Sequence, residues 1–114
     1  METRKFKRLV FRYGWDSRAE YETPLRGHLD HVSIEFDDGS RQRVIFYDLV
    51  RLSQTFEAES RSGRPFFAED GLIILEEVTR ANMENAARRL ADEGFFDHGS
   101  YVDVDHLFKK EEDG

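Results

Sequence analysis

Apolar positions in this chain come in blocks whose spacing switches from two to about 3.6, and that switch separates strands from helices. Residues 5–13, KFKRLVFRY, are rich in β-formers and predict a first strand with apolar groups on both parities. Residues 31–37, HVSIEFD, alternate cleanly, with Val32, Ile34 and Phe36 on one side and Ser33, Glu35 and Asp37 on the other. Residues 41–47, RQRVIFY, are the return strand. Parity sets the turn between them. A two-residue Asp38-Gly39 loop would set Arg43 opposite Ile34, on the apolar face. A three-residue Asp37-Asp38-Gly39 loop sets Val32 opposite Val44 and Glu35 opposite Arg41, so the longer loop is expected, with Gly39 in the left-handed conformation.

Helical spacing then takes over. Asp48 is the expected N-cap of a helix over 48–62, with Tyr47 and Leu52 at hydrophobic-staple positions and Leu49, Leu52 and Phe56 as its apolar stripe. Ser62-Gly63 ends it, with Pro65 beyond. Residues 72–78, LIILEEV, open with four consecutive apolar residues, which predicts an interior strand covered on both faces. Thr79 caps a second helix with the stripe Met83, Ala86, Ala87, Leu90 and Ala91, and Val78 and Met83 repeat the staple spacing. Gly94 stands at the C′ position and Phe95 at C″, where a Schellman motif brings it toward Leu90, the expected core anchor of this helix. Residues 100–108, SYVDVDHLF, are read as a short strand, with Val102 and Val104 inward, or as an ordered tail. The order β-β-β-α-β-α(-β) gives an α+β fold: a two-layer sandwich of a mixed sheet, about four to five strands, with two helices on one face. Residues 1–108 make one domain, and 109–114, KKEEDG, read as a disordered acidic tail.

Composition narrows the class. The chain has 114 residues, 24 acidic against 17 basic side chains and a net charge of −7. It has no cysteine, which excludes a disulfide scaffold and a thiol nucleophile. Mean hydropathy is −0.70, yet ten phenylalanines in periodic blocks point to a real core. The absence of a long apolar run and of a signal-like start predicts a soluble, cytoplasmic protein without a membrane partner. Acidic charge disfavours nucleic acid, because binding it rests on neutralising phosphates. The exception is the basic stretch Arg4, Lys5, Lys7, Arg8 and Arg12, read as a charged edge strand that resists aggregation.

Candidate chemistry concentrates in residues 14–30, GWDSRAEYETPLRGHLD, a connection with no clear period. It holds Trp15, Tyr21, Arg26 and His28. Trp15 and Tyr21 either cover an open edge of the core or offer a contact surface, and part of 19–30 is alternatively a backward extension of the 31–37 strand. His28, Asp30 and His31 form an H-x-D-H cluster. On an extended backbone His28 and Asp30 share a face, which makes them the candidate metal ligands, with Asp97-His98 or Asp105-His106 needed to complete a site. The competing reading is ordinary surface imidazoles. The doublets Phe66-Phe67 and Phe95-Phe96 each follow a chain breaker. Either all four are core, or one of each pair is exposed for a partner. No nucleotide-binding, hydrolase or zinc-protease motif occurs, and no cofactor is implied. The reading is therefore a non-enzymatic protein–protein interaction domain, a small acidic homodimer or adaptor. The alternatives are an acidic immunity-type inhibitor of a basic partner, or a small metal-binding protein or enzyme using His28, Asp30 and His31.

Overall fold

The computed structural model of the chain describes residues 4–97. They form β1 (Phe6–Phe11), α1 (Ser17–Arg26), β2 (His28–Phe36), β3 (Arg41–Asp48), α2 (Leu49–Arg61), β4 (Leu72–Leu75) and α3 (Arg80–Asp92). The sheet order is β1-β2-β3-β4, antiparallel except for the β3–β4 pair, which α2 connects as a parallel crossover. The fold is α+β on a mixed four-stranded sheet.

The β2–β3 hairpin follows from parity. Val32 opposes Val44 and Glu35 opposes Arg41. Gly39 adopts φ 85°, and its N–H donates to the Phe36 carbonyl at 2.9 Å. Asp38 secures the turn by accepting from the Ser40 N–H at 2.9 Å. Leu9, Val32, Ile34, Phe36, Val44 and Phe46 line one face of the sheet and meet Val78, Met83, Ala87, Ala91 and Phe96. Thr79 Oγ1 accepts from the Asn82 N–H at 3.1 Å, and the staple residues Val78 and Met83 on either side of this cap are both fully buried. At the other end Phe95 N–H donates to the Leu90 carbonyl and Gly94 N–H to that of Ala91, the two bonds of a Schellman motif.

The opposite face is covered only in part. Ile45 and Tyr47 are buried there, beside Thr55 of α2 and Phe67. The α+β class and mixed sheet hold, but the two expected helices do not share one face: α3 packs on the main core, while α2 lies against the reverse face at the β3–β4 end.

Four further expectations change. The 14–30 connection is not irregular, because it contains α1. Asp16 caps this helix, accepting from Ala19 N–H at 2.8 Å, and Gly27 ends it at φ 67°. The 72–78 strand is not interior. It is the short edge strand β4, and Ile74 is 51% exposed. Its four apolar residues divide between the core, which Ile73 and Leu75 join, and a thinly covered reverse face. The stripe Leu49, Leu52 and Phe56 does not form a buried seam: α2 has no buried residue, and Phe56 is 46% exposed. Leu90 is only half-buried against the core, and the fully buried anchor of α3 is Met83. The strand expected over 100–108 and the 109–114 tail lie outside the described residues.

Among the described residues no helix is long and apolar enough to cross a membrane.

Candidate functional site

The segment after β1 turns at Gly14 and enters α1 through the Asp16 cap. Helical spacing then aligns Arg18, Glu22 and Arg26 on one side, with ion pairs of 2.9 Å and 3.9 Å through Glu22. Trp15 folds back onto Phe11, ring centroids 4.8 Å apart, and packs against the edge of the core, while its indole N–H donates to Glu20. Gly27 then lets the chain reverse directly into β2. The φ of 67° favours glycine, and a Cβ at this position would fall on the Asp48 carboxylate and displace the cap of α2.

A β-bulge follows at once. Leu29 opposes Phe46 and Val32 opposes Val44, so Asp30 and His31 fill the space of one residue. The bulge separates the histidine–aspartate cluster. His28 turns to the reverse face, its ring 4.6 Å from Tyr47. Asp30 pairs with His31, Oδ1 to Nε2 at 3.2 Å, and His31 meets the Tyr13 ring edge-on at 5.1 Å. Burial is the first cause that lowers the His28 pKa, opposed by the Asp30 charge. Burial also raises the Tyr47 phenol.

Around this bulge a cavity of about 420 Å³ opens between α1 and the end of the β1–β2 pair. Phe11 and Trp15 form an apolar side, Arg18 and Arg26 with Glu22 between them a charged one, and His28, Asp30 and His31 also line it. Thr23 lines it too, and its buried hydroxyl has no hydrogen-bond partner among the described residues. The 14–31 stretch thus does build a pocket, and Trp15, Arg26, His28, Asp30 and His31 all reach it. Tyr21 does not: it lies exposed on α1.

The metal candidates fare differently. Among the described residues no group of three or more His, Asp or Glu side chains is placed to hold a metal ion. Asp97, the nearest of the proposed completing ligands in sequence, instead accepts from the Arg4 N–H at 2.8 Å. His98, Asp105 and His106 lie outside the described residues.

Each phenylalanine doublet splits. Phe96 is buried against Phe36, ring centroids 5.5 Å apart, while Phe95 is exposed. Phe67 meets Tyr47 edge-on at 5.8 Å, while Phe66 is exposed beneath the Arg64 guanidinium.

Sequence reasoning missed two features. The first is Thr23, hidden because α1 itself was not read. The second is the set of side chains sharing the uncovered sheet face. Register supplies a signal for it, since Val32 opposite Val44 requires Ser33 opposite Arg43. On that face Glu35 accepts from Arg8 and Arg41, and the Arg8 hydrogen bond is the first cause that lowers its pKa.

No protein family, characterised protein or solved structure matches this chain.

Proposed function

We propose that the chain is a non-enzymatic interaction module that works as a homodimer through the α2–β4 side. One observation carries this reading. Of the nine large hydrophobic side chains left exposed among the described residues, five belong to a single stretch of chain: Leu49, Val50, Phe56, Phe66 and Ile74. Clustered exposed apolar surface of this kind marks an interface more often than scattered residues do.

A second copy is the occupant that this side suits. Among the described residues β4 is an edge strand whose outer backbone groups face no further strand, and antiparallel pairing with its own copy would continue the sheet. Such a contact is isologous, which requires a surface complementary to itself. The exposed apolar side chains of α2, Leu49, Val50 and Phe56, meet that requirement, since apolar surface is its own complement, while Glu57 and Glu59 are already engaged by Arg61 and Arg64. A standard interface hides about 800 Å² per partner. That is about a tenth of the 8125 Å² accessible surface of the chain.

Light scattering across a concentration series should report twice the 13.4 kDa chain mass. Ile74→Lys and Phe56→Lys should each return a folded monomer, with folding checked by circular dichroism. A wild-type monomer at high micromolar concentration sinks the proposal, as does a dimer that survives both substitutions.

A further inference from the structure

Strand register brings together charges that are distant in sequence. Arg8 and Glu35 are cross-strand partners, and so are Glu35 and Arg41. One step along the strands, Val10, Ser33 and Arg43 form the next row of the same face. Lys7 joins through a bulge in β1, its Nζ 3.6 Å from Glu35 Oε2. Arg12 follows at the end of β1, its backbone N–H bonded to the His31 carbonyl at 2.9 Å. Five basic side chains, Lys7, Arg8, Arg12, Arg41 and Arg43, therefore accompany two acidic ones, Glu35 and Asp30. A chain of net charge −7 thus carries one locally positive sheet face.

The two ends of that face differ. At one end Glu35 already satisfies its neighbours, with Arg8 at 3.1 Å, Arg41 at 3.2 Å and Lys7 at 3.6 Å. At the other end a cavity of about 380 Å³ is lined by Val10, Arg12, Ser33, Arg43 and the Asp30–His31 pair, and by Arg41, which Glu35 engages. Among the described residues no carboxylate forms an ion pair with Arg12 or Arg43, whereas Arg8 and Arg41 are both held by Glu35. Arg12 leans on the Tyr13 ring, 5.5 Å from its centroid.

We propose that this cavity binds a phosphoryl group, held by the Arg12 and Arg43 guanidinium groups with the Ser33 hydroxyl between them. The donor set selects the ligand. A carboxylate has two oxygens and is satisfied by one or two guanidinium forks, as Glu35 is. Two further forks and a hydroxyl suit an anion with three or more accepting oxygens. Convergent positive charge in a recess also concentrates anions from solution. The Asp30 carboxylate at the rim opposes this, but His31 engages it at 3.2 Å. The site is separate from the α2–β4 surface and does not depend on dimerisation.

The test is calorimetric titration of the full chain with pyrophosphate at low ionic strength, and in parallel with a short oligothymidylate. Saturable pyrophosphate binding at about 1 mM or tighter is expected. The double variant Arg12→Gln/Arg43→Gln should weaken it by about tenfold or more, the scale of lost charge-assisted hydrogen bonds. The control Arg61→Gln/Arg89→Gln removes the same charge elsewhere and should leave it unchanged. Oligothymidylate that binds more tightly than pyrophosphate, and is lost in the Arg12/Arg43 variant, would trace the phosphoryl group to a nucleic-acid strand. Pyrophosphate binding alone would trace it to a small phosphate. The proposal fails if pyrophosphate does not saturate, if the Arg12/Arg43 variant binds it unchanged, or if the control pair weakens it equally.

Discussion

The helices α2 and α3 have the same length, 13 residues, and the same kind of start, a short polar cap whose oxygen accepts from the third helical N–H. Both follow the edge of a strand, and both carry an apolar stripe. Yet α3 buries Met83, Ala87 and Ala91, and α2 buries nothing completely. The difference lies in the size of the residues and in what faces them. α3 presents two small alanines that let its backbone approach a continuous apolar surface formed by Leu9, Ile34, Phe36, Val44 and Phe46. α2 turns its half-buried side, Leu52, Thr55 and Glu59, to a face where only Ile45 and Tyr47 are apolar on β3 and where β4 is four residues long, and it leaves Leu49 and Phe56 exposed. A periodic stripe shows that a helix has an apolar side. It does not show that the same chain supplies enough surface to cover it.

The largest expected effect breaks the well-packed half. Met83 is fully buried at the centre of the α3 contact, so Met83→Ala removes its packing and leaves a cavity. It should cost ~2–5 kcal/mol, read as a shift in the urea midpoint at unchanged slope. Leu90→Ala should cost less, because Leu90 is only half-buried. If Leu90 proves the more damaging of the two, the packing centre of α3 lies a turn or two nearer its C-terminus than the structure places it.

How much of this was legible depended on which interaction dominates locally. The hairpin and the α3 caps were readable because parity, Gly39, Thr79 and Gly94 leave few alternatives, and each reappears in hydrogen bonds between neighbours in sequence. α1 was not, because it has almost no apolar period and carries Pro24 in its last turn. Its signals were polar: the Asp16 cap, the Arg18–Glu22–Arg26 ladder and the terminal Gly27. The pocket residues Trp15, His28 and Asp30 were picked out because they fell in that unexplained stretch. Their final orientation was not accessible, because the bulge at Asp30–His31 shifts the alternation on which any reading of faces depends. β4 misled because four apolar residues in a row look alike whether two neighbours cover them or one.

A smaller effect sharpens the comparison from the reverse face. His28 packs on Tyr47, and burial is the main cause of its lowered pKa. The fold therefore favours the neutral ring. The unfolded chain takes up the proton at the ordinary value, near 6.5, before the folded one does. Stability from this group is complete above that value and falls as pH drops through it toward the lower folded pKa. Urea midpoints at neutral and mildly acidic pH should thus converge in His28→Gln relative to the parent. An unchanged difference between the two pH values would mean that His28 is as solvated in the folded chain as in the unfolded one.

The smallest expected effect is the most informative about α2. Phe56→Ala removes the largest side chain of its stripe, yet almost half of that side chain already faces solvent within one chain. In dilute protein, where single chains prevail, its loss should move stability by no more than about 1 kcal/mol, well short of the cost at Met83, because truncation there leaves no enclosed cavity. At high protein concentration the same substitution should lower the melting temperature clearly, since a residue buried between two copies stabilises the fold only when the second copy is bound. The measurement is therefore a pair of melting curves at low and high concentration for parent and variant. A large loss at both concentrations would place Phe56 in the chain's own core and remove the contrast between the two helices. A small loss at both would leave α2 an exposed helix that no second copy covers.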